Sequence, residues 1–251
     1  GAAWGFTLLL MSMTAYAISP RNFRLNKPDM RGRTEWLRHA IPLLISSLMM
    51  TSLTSSGTII LEIIHPSETV VAMFAIAMQT SGLISLIGTS TNRYYLPMLV
   101  VLIERHDYEG IKHLLNKRMR MIACFVVLYF CILLLWGSDI LGLFGSDFSE
   151  GLYALLISAC GATFSTLFAD SPYYLQFMGR NKLVVSLMTI AAGIMVILGF
   201  SLGRHYGATG VAVAYALPTL SLFSYFKWYA SRHLRHSFQH QCSSLTSPRT
   251  K

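Results

Sequence analysis

One carboxylate stands out by its surroundings. Asp170 lies inside Gly151–Lys182, GLYALLISACGATFSTLFADSPYYLQFMGRNK, an apolar stretch of bilayer length with no other acid. Hydrocarbon offers an ionisable group no water, so such a residue faces a cavity or a partner helix and marks a pathway for ions or polar substrate. Pro172 follows two residues later and removes a backbone donor, which makes it a candidate helix break; Pro218 is a second. The matching cation is Arg93, the one basic residue that falls within an apolar span. It closes a run whose second half is too polar to face lipid tails, with Gln79, Ser85, Thr89 and Asn92 along it. A guanidinium offers a planar fork of donors suited to phosphate or a sugar acid. Arg93, Asp170, Gln79 and Asn92 are therefore the pathway candidates. Arg93 and Asp170 are expected to pair across a cavity, as a gate that opens when substrate competes for the arginine, or as a pair that only specifies helix packing. Arg93 snorkelling to the interface is the competing reading of that residue.

The elements that must position these residues follow from composition. Of 251 residues, 53% are hydrophobic and 12% charged, about half the charged share of a soluble domain. The chain reads as an integral membrane protein. Its net charge of +9 does not point to nucleic acid, because Lys and Arg gather in clusters between apolar spans: Arg21 to Arg38, Arg105 to Arg120, Arg180 with Lys182, and Lys227 to Lys251. That spacing is what the positive-inside rule describes, with the clusters cytoplasmic. The outer loop around Asp139, Asp147 and Glu150 has acids and no Lys or Arg, in agreement.

Seven apolar spans are expected: Ala3–Ser19, Ile41–Ile64, Thr69 to about Pro97, Met121–Trp136, the Asp170 span, Leu183–Leu202, and Gly210 to about Trp228. Ser and Thr crowd the second, where they either let helices pack closely or line a polar path. The basic segment 20–40, with Trp36, is a linker that lies on phospholipid or in solvent. Glu104 to Arg120 is expected as a cytoplasmic loop, partly helical on the membrane surface, and Gly203 to Thr209 as an outer loop. The four cysteines have no C-x-x-C spacing and read as buried structural thiols; His233, His236 and His240 sit in a polar tail, 231–251, expected to be disordered. No metal and no cofactor are expected.

Four stretches in order carry a resemblance. Ile140-Leu141-Gly142-Leu143-Phe144-Gly145-Ser146-Asp147-Phe148, Leu175-Gln176-Phe177-Met178-Gly179-Arg180-Asn181-Lys182 and Tyr206-Gly207-Ala208-Thr209-Gly210-Val211-Ala212-Val213-Ala214, with Pro97 ahead of Glu109-Gly110-Ile111-Lys112, resemble the polysaccharide transporter branch of the multidrug/oligosaccharidyl-lipid/polysaccharide exporter superfamily, the O-antigen and repeat-unit flippases. The resemblance implies an all-α fold of about seven transmembrane helices: residues 1–19 as the last helix of an N-terminal lobe, 20–40 as a cytoplasmic linker, and 41–230 as a second six-helix lobe. It implies a fragment that lacks the first five helices, resident in a bacterial inner membrane with its C-terminus cytoplasmic. The implied activity is alternating-access flipping of undecaprenyl-diphosphate-linked oligosaccharide, without catalysis, with the bilayer and the missing lobe as partners. Two other readings are a cation-coupled multidrug exporter of the same superfamily, which needs a carboxylate-lined site, and a multispan glycosyl- or acyltransferase, which needs clustered catalytic residues.

Overall fold

The computed structural model describes residues 30–246, apart from Pro66 and His106. The expected first span and most of the basic linker lie outside these residues, as does the end of the tail. The chain divides into two units, Gly1–Ile41 and Pro42–Lys251. The second carries both apolar cores and the cavity described below.

Among the described residues the structure is all helical. In hydrocarbon every backbone N–H and C=O must be satisfied within the segment, and a helix does this. The helices are α1 (Met30–Ile64), α2 (Glu68–Gly82), α3 (Ile84–Glu104), α4 (Tyr108–Gly142), α5 (Leu152–Leu167), α6 (Asp170–Phe177) and α7 (Asn181–Thr246), with a 3-10 turn at Ser146–Gly151. Among the described residues, five stretches are long and apolar enough to cross a bilayer: Leu44–Ile64, Glu68–Glu104, Tyr108–Gly142, Leu152–Phe177 and Asn181–Leu234. Large apolar side chains such as Leu44, Ile63, Leu86, Leu128, Leu135 and Ile197 are exposed along them, as on a surface made for lipid.

Five replaces the expected count of about seven. Ala3–Ser19 is not among the described residues, and the segments Leu183–Leu202 and Gly210–Trp228 belong to one continuous run. The expected loop Gly203–Thr209 is helical apart from Gly207, whose φ of 55° and ψ of −134° are non-helical. Such backbone is nearly glycine-only. The run reverses there, because both arms return to the same part of α1. Ser56 Oγ contacts Met195 Sδ at 3.0 Å, while a Cβ on Gly57 would lie 3.2 Å from Val211 Cγ1. In a straight helix positions 195 and 211 would be about 24 Å apart.

A second difference concerns the expected cytoplasmic loop Glu104–Arg120. The chain turns within a few residues, and α4 starts at Tyr108. Its cap is Asp107, whose carboxylate accepts from Gly110 N at 2.9 Å. From there α4 is continuous for 35 residues, about 52 Å. The hydrocarbon core is only about 30 Å thick, so the basic first turns of α4 extend beyond it.

The best buried span is Leu152–Phe177. Ala154, Ser158, Gly161, Ala162 and Ser165 are buried on α5, and their small size lets α7 come close. A Cβ on Gly161 would lie 2.9 Å from Tyr215 Cε1 and 3.2 Å from the Ala216 Cα. One apolar core, near the basic ends of the helices, gathers Tyr95, Ile111, Tyr174, Met195 and Phe226. The other gathers Leu61, Phe74, Leu133, Leu155 and Val211. Cys124, Cys131 and Cys160 are free and exposed, which corrects the expectation of buried thiols: they sit on faces of α4 and α5 that no other helix covers among the described residues.

Candidate functional site

The site is built around a broken helix. Pro172 has no N–H to give the carbonyl four residues back, and its ring crowds that carbonyl. The chain duly leaves α5 at Phe168 and restarts as α6 at Asp170, with Ser171 N bonding to Phe168 O at 3.0 Å in a tighter turn. Arg118 of α4 reaches this break. Its Nη1 donates to Asp170 Oδ1 at 3.1 Å, and its Nη2 approaches the Thr166 carbonyl oxygen at 3.5 Å. The guanidinium thus touches both sides of the break. Arg118 is 1% exposed and Asp170 4%, so the two charges compensate each other away from solvent. Removing one partner of such a pair costs roughly 3–5 kcal/mol, because the other charge stays buried. The α6 end is closed by Gly179, at φ 76°, with Arg180 N donating to Leu175 O at 2.9 Å. This is a glycine C-cap.

A cavity of about 420 Å³ opens against the break, with a wall that includes Thr166, Ala169 and Pro172. From α1 come Ser46, Ser47 and Thr51, from α3 Ser85, Thr89 and Asn92, and from α6 Tyr173 and Gln176. The lining has no formal charge. Most of its hydroxyls donate to a backbone carbonyl three or four residues back. Thr51 donates to Ser47 O at 3.0 Å, Thr89 to Ser85 O at 2.9 Å and Thr166 to Ala162 O at 2.8 Å. Their oxygen lone pairs remain as acceptors. Gln176 Nε2 donates to Ser46 Oγ at 3.2 Å, tying α6 to α1. Asn92 Oδ1 is buried with no hydrogen-bond partner among the described residues. Met50, Met188 and Phe223 complete the lining, so the surface is uncharged and mixed, with acceptors for a ligand's hydroxyl donors beside apolar side chains.

The structure distributes the predicted residues unequally. Asn92 and Pro172 line the cavity, and Asp170 lies directly behind its wall. Pro218 is buried in the second arm of α7, and Gln79 is exposed on α2. Arg93 is exposed on α3 and is not the partner of Asp170; Arg118 is. Helical geometry explains why. The buried residues of α3 are Ile84, Gly88, Tyr95 and Leu99, a face whose edge Asn92 occupies and from whose centre Arg93 is turned by about 150°.

Arg118 is the residue that the sequence reading missed, because it sits in the basic cluster Arg105 to Arg120. The signal was nevertheless present. Ile111, Leu114, Leu115, Arg118 and Ile122 are the buried residues along that part of α4, spaced as one apolar helix face. A cation in the middle of such a stripe needs a buried partner.

Comparison with protein-family models, with curated proteins and with solved structures finds no match to this chain. Fold and site therefore define a class: an all-α, multi-span membrane protein. Its architecture is consistent with a membrane transporter, with an uncharged cavity held among apolar spans.

Proposed function

We propose that the chain is part of a transporter that moves lipid-linked oligosaccharide, of the undecaprenyl-diphosphate class, across a bacterial inner membrane by alternating access. The observation that carries this reading is the uncharged cavity whose mixed lining sets hydroxyls and amides beside Met50, Met188 and Phe223, between helices whose outer faces are apolar. A sugar headgroup has hydroxyl donors for these acceptors, while its lipid tail remains in the bilayer. Asn92 and Gln176 are the sugar contacts in this proposal. Arg93, exposed one turn after the cavity residue Thr89, meets the diphosphate. The missing N-terminal lobe that the resemblance implies supplies the opposite wall, and the C-terminus is cytoplasmic.

The competing readings each need something the cavity lacks. A cation exporter needs a free carboxylate in its site, but no acid lines the cavity and Asp170 is held by Arg118 behind it. A membrane transferase needs clustered reactive groups, and the acids of the Asp139–Glu150 region stand on other elements than those that line the cavity.

The test uses vesicles with the full-length protein and a dye-labelled undecaprenyl-diphosphate oligosaccharide, read by lectin access. Flipping is expected to exceed that of protein-free vesicles and to fall about tenfold in Asn92→Ala with Gln176→Ala, as for lost hydrogen bonds to substrate. Flipping at the protein-free rate by correctly folded protein would overturn the proposal.

A further inference from the structure

A second cavity lies between the first turns of α4 and the later part of α7, with a volume of about 670 Å³. Its polar side carries Lys112 and His113 from α4 and Lys227 and Ser231 from α7, against a single acid, Glu109. Its apolar side is formed by Leu115, Met119 and Leu234. Lys112 and His113 are exposed, and Lys227 is half-buried, with Nζ 5.6 Å from the centroid of the Phe168 ring. An ammonium over a ring keeps its outward-facing donors for another acceptor.

The level of this groove in the membrane is marked by its neighbours. On the same turns of α7, Tyr225 packs on Trp228 at 5.8 Å and on Tyr229 at 6.2 Å, and the Arg232 guanidinium lies 5.5 Å over the Trp228 ring. Tyr225 and Trp228 are exposed. Exposed Trp and Tyr beside Arg are the signature of the headgroup layer. The groove therefore opens at headgroup depth, cationic at the top and apolar along one wall.

We infer that this groove is a site for one anionic phospholipid, with the phosphate between Lys112 and Lys227 and an acyl chain along Leu115, Met119 and Leu234. Basic pockets between membrane helices recognise acidic headgroups in this way. The inference does not depend on what the first cavity transports, since it uses other residues and a ligand present in any bacterial bilayer.

Native mass spectrometry of the full chain, released from micelles with equal phosphatidylglycerol and phosphatidylcholine, tests it. Phosphatidylglycerol is expected to be retained over phosphatidylcholine, and the preference is expected to drop roughly fivefold for each lysine neutralised in Lys112→Gln and Lys227→Gln. Lys112→Arg with Lys227→Arg keeps both charges and is expected to keep the preference, which guards against misfolding of the neutral variants. Soluble glycerol 3-phosphate at equal concentration is expected to leave the bound lipid in place. Equal retention of the two lipids, an unchanged preference in the folded double Gln variant, or full displacement by glycerol 3-phosphate would each overturn the assignment.

Discussion

Arg118 on α4 and Asp170 at the start of α6 are joined by a 3.1 Å ion pair, although 52 residues separate them in sequence. The same guanidinium approaches the Thr166 carbonyl at 3.5 Å. One side chain thus spans the break that Pro172 makes, and the wall of the hydroxyl-lined cavity stands on that arrangement. Among the described residues Arg118 Nε has no hydrogen-bond partner, so the arginine is held there at one end of its fork alone.

The first prediction concerns this pair. Arg118→Met or Asp170→Leu alone leaves a buried charge and is expected to destabilise the fold by roughly 3–5 kcal/mol. The double variant removes both charges and is expected to lose clearly less than the sum. Thermal unfolding in detergent, followed by circular dichroism, reads the cycle; strict additivity would show that the pair is not coupled.

The cavity yields the second. Asn92→Leu fills the lining with an apolar group, and with it the unpartnered Oδ1 disappears, so stability is expected to hold or rise by up to about 1 kcal/mol. The transport proposed above is expected to fall at least tenfold. Arg93→Ala, at an exposed position, is expected to change stability by less than about 0.5 kcal/mol while also slowing transport. A stable Asn92→Leu variant with full transport would remove Asn92 from the pathway.

Close packing of α5 on α7 provides the third. Gly161→Leu must displace Tyr215 or the Ala216 backbone, and overpacking of this kind costs about 1–3 kcal/mol. A Cβ on Gly193 would meet nothing within 4 Å, so Gly193→Leu is the control, expected within about 0.5 kcal/mol of the parent. Equal melting temperatures for the two variants would refute the contact.

At Gly207 the expectation is conformational. Its φ of 55° and ψ of −134° suit no residue with a Cβ, and Gly207→Ala is expected to cost about 1–3 kcal/mol. Nothing crowds the position within 4 Å, so the penalty is one of backbone alone. Chemical denaturation of the two proteins measures it, and an unchanged midpoint would mean that the reversal does not need glycine.

Composition and the order of charges were enough to read a membrane protein, because a bilayer tolerates few charges and only helices satisfy their own backbone there. The same local logic picked out Asp170, a lone acid in an apolar span, and the break at Pro172, since both are properties of a residue and its near neighbours. Which cation meets Asp170 was not a local question. Arg93 and Arg118 differ in the helix face each occupies, and only the packing of α4 on α5 and α6 turned Arg118 inward to 1% exposure while leaving Arg93 outside. That Leu183–Leu202 and Gly210–Trp228 join as one helical run was likewise decided by tertiary structure, where one glycine, not a loop, turns α7 back. A cavity belongs to no single segment: its lining comes from α1, α3, α5, α6 and α7, and no periodicity within one helix announces where five of them leave space.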